Sequence, residues 1–466
     1  MFDRSNSDDS SVRGAPTKRP PLAATAANDP AEQPIGPLQQ PTAPARRIAA
    51  LDALRGVMLG GIALMNIGLF TASMQTIDNG IDPNLHGLSW WADALVYTLL
   101  HEKGWVLFSM MFGVGFAVMR QQARTHGSRF VRVWMRRAAV LLLIGLIHAV
   151  LIWPGDILTS YAMAAVLLLL LARNLSAKHT AILGACLMAM PLTIVLLSAA
   201  DAWAHGTTAL PHAAAAARHQ AAEVAALAHG TYGQATAERL SYLLGTFRER
   251  LQFLPLILGS ALMGVALYDV GAFSRPEQHR RLWKRILTGG LGAGLGITAV
   301  SLMIDASPNF TGPTVEAHDY MASILQLLGS LPLAMAYAAL VMLASLTERG
   351  GRWLRHLAPM GRLALTNYLV QSLIATTLFY GYGFGLWGEV SRFGQVAIAL
   401  LVFAMQVRWS RWYVERFRYG PAEWLWRWGT YGVRPAFRGS PTAAEADGNG
   451  TRGSKPEMAQ ISAISH

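Results

Sequence analysis

The chain has 466 residues, of which 53% are hydrophobic and 14% charged, with a formal net charge of +12. A soluble domain carries about a quarter charged residues, so an ordinary soluble globule is excluded. The basic excess is arginine gathered in loops between apolar segments, which points to membrane topology and not to a nucleic-acid partner. The single cysteine, Cys186, excludes an internal disulfide and a thiolate metal site.

Residues 1–45 are rich in Ala, Pro, Ser and Asp and hold no apolar h-region. They read as a disordered cytoplasmic tail, not a signal peptide. Apolar segments approaching the roughly 20 residues of a bilayer span follow near 51–72, 104–119, 138–153, 157–173, 179–199, 251–271, 286–304, 320–346, 363–383 and 394–413. The expected fold class is therefore all-α, a polytopic transmembrane helical bundle of about ten spans. The second span is the weakest, and the apolar run from Trp90 to Leu100 before it reads as an interfacial or re-entrant helix. The expected domains are an N-terminal bundle over 46–200, an outer loop over 201–250, a C-terminal transmembrane domain over 251–435 and a second disordered tail over 436–466.

The loops alternate in charge. Arg46 and Arg47 precede span one, and Arg120, Arg124, Arg129, Arg132, Arg136 and Arg137 follow span two. Arg275, Arg280, Arg281, Lys284 and Arg285 follow span six, and Arg349, Arg352, Arg355 and Arg362 follow span eight. The intervening loops hold few or no bases: Asp78 and Asp82 mark one, Asp156 another, and Asp305 to Asp319 is acidic. Loop charge of this kind places both termini in the cytoplasm. The long 201–250 loop breaks the pattern, as long loops do. Its Ala213–Ala228 stretch reads as helical. His205, His212, His219 and His229 lie there, three of them seven apart, and because helical ligand pairs sit three or four apart, no metal site is read from them. Gly56, Gly60, Gly61, Gly113, Gly115 and the Gly289–Gly296 run read as close helix packing.

A charge at bilayer depth must be paired, interfacial or facing a wet cavity. Asp52 and Arg55, three apart, can pair on one face at the start of span one. Asn66 lies eleven residues beyond Arg55, close to the same azimuth and about 16 Å further along the helix. His148 near the end of span three is followed by Trp153-Pro154-Gly155-Asp156, a turn that brings a carboxylate back toward the imidazole. His with a carboxylate neighbour is the usual arrangement of a general base. His101 and His86 are the second-choice bases. Glu102 and Lys103 read as interfacial anchors, and Asn367 and Gln371 share one face of span nine.

The stretches RIAALDALRGVMLGGIALMN (47–66), KGWVLFSMMFGVGF (103–116), HAVLIWPGDILTSYA (148–162) and, most specifically, 359–431 resemble the YeiB-like family of bacterial inner-membrane proteins of unknown function. The resemblance covers most of 46–432. The LDALRG opening with an amide eleven residues after its Arg also resembles span one of heparan-glucosaminide acetyltransferase-type proteins. The acyltransferase-three family has a similar Arg but a His where this chain has Asn66. That distant resemblance implies acyl-CoA as co-substrate, bound from the cytoplasm, with the acyl group passed to a carbohydrate or other envelope acceptor. Carried over, Arg55 with Asp52 would hold the CoA side and Asn66 the acyl path, leaving the base to His148 with Asp156. The rival expectation is a small-solute transporter, for which Gly289–Gly296, Pro255, Pro332, Asn367 and Gln371 speak.

Overall fold

The computed structural model describes residues 49–76, 79–126, 129–205, 208–209, 213–310 and 314–438. The first predicted tail, most of the second, and Arg46, Arg47, Asp78 and His212 lie outside the described residues. The described chain forms α1 (Ala49–Asn66), α2 (Gly87–Leu99), α3 (Lys103–His126), α4 (Phe130–Leu151), α5 (Leu158–Ala172), α6 (Ala177–His205), α7 (Ala213–Ala228), α8 (Tyr232–Gly245), α9 (Phe247–Asp269), α10 (Arg280–Ile304), α11 (Ala317–Ser345), α12 (Glu348–Arg362), α13 (Ala364–Phe379), α14 (Arg392–Val414) and α15 (Pro421–Tyr431). Strand structure among the described residues is one two-residue antiparallel pairing, Thr208–Ala209 with Thr314–Val315. The protein is all-α and polytopic. Eight segments among the described residues are long and apolar enough to cross a membrane. The other two predicted spans are the shorter helices α5 and α13, of 15 and 16 residues.

The weak second span has a physical cause. α2 and α3 together make a 38-residue apolar segment, interrupted at residues 100–102. Glu102 there has φ +66°, the only non-glycine residue among those described in the left-handed region.

Two close crossings build the centre. α3 lies on α9 where Gly113 faces the Ala261 carbonyl and Gly264 faces that of Met110; a Cβ on either glycine would come within 1.8 Å and 2.0 Å of those oxygens. α1 lies on α12 through Gly56 and Gly361 in the same way, Gly361 facing the Asp52 carbonyl. Van der Waals packing of small residues is what holds helices together where lipid removes the hydrophobic drive. α6 and α10 are peripheral, with Ile182, Ile194, Leu196, Leu197, Val300 and Met303 exposed as a lipid-facing surface would require. The arginine-rich loops converge on one end: Arg120 binds Asp269 at 2.5 Å and the Ala172 carbonyl at 2.6 Å, and Arg136 binds the Gly429 carbonyl.

The base-poor end is capped by α7 and α8. Glu223 of α7 accepts from Ser73 Oγ at 2.5 Å and from the Met74 amide at 2.9 Å. Burial is the main cause that pushes the Glu223 carboxyl above its ordinary range, and these two donors counter it in part. Arg239 of α8 is fully buried among Tyr232, Tyr380 and Tyr382 and donates to the Val150 and Leu151 carbonyls that end α4. A cation is favoured at a helix C-terminus and over aromatic faces.

Candidate functional site

Beneath that cap, the Pro154-Gly155 turn reverses the chain between α4 and α5. His148 Nδ1 stands 2.9 Å from Asp156 Oδ1, and both side chains are buried. The other Asp156 oxygen accepts the Thr159 amide at 2.8 Å, which fixes the carboxylate at the start of α5. Because a carboxylate only accepts, Nδ1 is the donor in this hydrogen bond, and in the neutral imidazole Nε2 carries the lone pair. His148 Nε2 is buried with no hydrogen-bond partner. Such an imidazole can take a proton from whatever reaches it.

Arg250, at the start of α9, holds the turn itself. It donates to the Pro154 carbonyl at 2.9 Å, the Asp156 carbonyl at 2.9 Å and Thr159 Oγ1 at 3.2 Å. Tyr368 of α13 closes the other side, its ring centroid 5.1 Å from that of His148. Trp153 packs edge-on to His148 and stacks on Phe70 at 4.3 Å. Neither Arg250 nor Tyr368 carries a local sequence signal, since both arrive through long-range packing.

Tyr368 also joins this pair to Asn66. A cavity of about 30 Å³ is lined by Asn66, Tyr368, Gln371 and Ser372 among apolar neighbours such as Phe70 and Ala375. That is room for a water. Gln371 donates to Gln406 Oε1 at 2.8 Å, Gln406 donates to the Asn367 carbonyl at 2.9 Å, and Asn367 donates to Ser410 at 2.9 Å. Thus Asn367 and Gln371 share a face, as their spacing predicts, and that face is an amide ladder between α13 and α14.

Asp52 and Arg55 pair at 2.8 Å at the opposite end. Between them and Asn66 the α1 side chains Met58, Leu59 and Ile62 are buried in apolar packing. The polar groups therefore fall into two levels separated by a hydrophobic stretch. At the basic level Arg55 and Arg427 lie near enough to Arg137 to repel it, and Arg137 stacks on Trp426 at 3.5 Å with its Nε buried and without a partner.

The second-choice bases sit elsewhere. His86 is exposed at the N-terminus of α2, and His101 packs against Tyr97 at 5.1 Å within the helix break. Lys103 is no interfacial anchor: it is 1% exposed, because the break turns it onto the same buried α3 face as Val106, Leu107 and Met110. Sequence reading passed over one possible metal cluster, Asp305, His318 and Asp319, whose ligand atoms lie within 4.8 Å of one another. The Asp319 carboxylate already accepts the Asn309 and Glu316 amides, which is a helix-capping arrangement.

Residues 267–433 match the family described as "Protein of unknown function (DUF418)". The chain is 31% identical to the uncharacterized protein YxaH of Bacillus subtilis (strain 168) over 414 residues, 84% of this chain and 96% of that protein. It belongs to the YeiB-like family. The uncharacterized protein YeiB of Escherichia coli (strain K12) is 29% identical over 82% of this chain and 95% of its own length. No solved structure matches the chain. In this YeiB-like protein the family-specific C-terminal segment supplies Tyr368, Asn367 and Gln371, so the His148 environment is built jointly by both halves of the chain.

Proposed function

We propose that the protein is a transmembrane acyltransferase of the bacterial inner membrane, with its basic end and both termini cytoplasmic. It moves an acyl group from cytoplasmic acyl-CoA to an envelope acceptor. The observation that carries this reading is the buried, unpartnered Nε2 of His148, held in its acceptor tautomer by Asp156. An acceptor hydroxyl attacks the thioester carbonyl and gives its proton to Nε2. The new C–O bond forms as the C–S bond breaks, and the thiolate leaves with the proton from the imidazolium. Asp156 orients the ring and stabilises its charged form, and Arg250 holds Asp156 in place.

At the cytoplasmic level Arg55, Arg137 and Arg427 supply cationic charge beyond what Asp52 balances, which suits the phosphates of CoA. The apolar stretch of Met58, Leu59 and Ile62 between the levels suits an acyl chain better than a polar solute. Equilibrium binding of acyl-CoA to the purified protein tests the reading. Saturable binding weakened by Arg137→Gln supports it, and absence of binding removes it. The second reading, small-solute transport, draws on the interrupted α2–α3 segment, a feature of transporter binding sites. Solute flux in proteoliposomes without an acyl donor would favour it.

A further inference from the structure

The chain has five lysines, and among the described ones Lys103 is the one placed deep in the bundle. It is among the largest fully buried side chains, at 1% exposure, and its Nζ has no hydrogen-bond partner. Burying an ammonium without compensation is costly, so such a group persists where something repays it. Glu102 attracts it electrostatically but makes no hydrogen bond to it; that carboxylate accepts instead from Ser330 Oγ at 2.9 Å on α11. Lys103 is also the first residue of the 24-residue helix α3, so the positive end of the helix dipole adds to its charge.

The facing wall is polar as well. Gln326 lies one turn from Ser330 and is 2% exposed. Its amide nitrogen donates to the Tyr97 carbonyl at 3.0 Å, while its Oε1 is buried and has no partner. The hydrogen bond from Ser330 holds the left-handed turn at Glu102 against this wall, next to Lys103 in the chain. Lys103 and Gln326 thus each leave a buried polar atom unpaired, on the two sides of the Glu102–Ser330 hydrogen bond at this helix break.

From this we infer that the α2–α3 break is a binding site for a small organic anion that also carries a hydroxyl group. The carboxylate or similar acid group takes the Lys103 ammonium, and the hydroxyl donates to Gln326 Oε1. This site does not depend on the acyl-transfer reading, because it uses none of the His148, Asp156 or Arg55 groups.

The test uses the full chain in detergent, with sodium glycolate as the probe, since it has one carboxylate and one hydroxyl. Sodium chloride at matched ionic strength is the reference. Glycolate is expected to raise the melting temperature saturably, with its apparent affinity at least tenfold weaker in Lys103→Met. Should that variant not fold, Gln326→Leu, which leaves the charge in place, is expected to weaken glycolate severalfold and to erase its advantage over acetate. A wild-type protein that glycolate does not stabilise beyond chloride overturns the inference, as does undiminished stabilisation in either folded variant.

Discussion

His148 and Asp156 illustrate what a short turn does for a sequence. Eight residues separate them, and the Pro154-Gly155 reversal between two helices leaves few places for the carboxylate other than beside the imidazole. The pair was legible for that reason. Arg250 was not: it reaches the same turn from 94 positions beyond Asp156, and its role exists only once α9 is packed on α5. Asn367 and Gln371 were legible as a shared face, since four-residue spacing fixes that in any helix, but their partners Ser410 and Gln406 on α14 were not. Lys103 was misread because its depth depends on a left-handed turn at Glu102 that no local propensity favours. Two outcomes follow at this scale. His148→Ala is expected to lower acyl transfer by about 10²- to 10⁴-fold, the usual worth of a general base, while acyl-CoA binding is retained; initial-rate and binding measurements on one preparation check both. Asp156→Asn should lower the rate as well, since an amide can hold the opposite tautomer, and the loss should show in turnover more than in acyl-CoA affinity.

Whole helices follow from apolar length, which is why each of the ten predicted spans corresponds to a helix. α12 and α15 went unread because their arginines and tryptophans look like loop chemistry until α1 and α4 are present to pack on them. The crossing of α3 on α9 has a sharp requirement. Gly113→Ala would drive a methyl group into the Ala261 carbonyl, so the helices must separate. We expect a loss of about 1–3 kcal/mol, the usual cost of overpacking, read as a fall in the denaturation midpoint, whereas Gly115→Ala at an open position should cost little. The cap has its own signature. Burial raises the Glu223 carboxyl pKa, so the folded protein holds that proton more tightly than the unfolded chain does. Its contribution to stability is therefore complete below the ordinary glutamate range and is lost as pH rises through the raised value. A melting-temperature series against pH should show this decline in wild type and a flatter curve in Glu223→Gln.

At the scale of the molecule, the two polar levels and the apolar stretch between them define a direction. Arginine-rich loops gather at one end, and the α7–α8 cap covers the other. In the proposed orientation, which rests on loop charge, the arginine-rich end is cytoplasmic. On a Cys186→Ser background, an impermeant thiol reagent applied to spheroplasts should label His219→Cys in the cap and spare Arg275→Cys at the basic end; the reverse pattern would invert the molecule. Tyr368 links both halves of the chain at His148, so the proposed function would require the family-specific C-terminal segment as well as α1 and α4. The most direct test of the whole account is transfer of label from radioactive acyl-CoA, supplied to the cytoplasmic face of everted membrane vesicles, into material on the lumenal face. The account predicts labelling that requires the protein and falls at least a hundredfold in His148→Ala. Equal labelling by wild type and His148→Ala would contradict it.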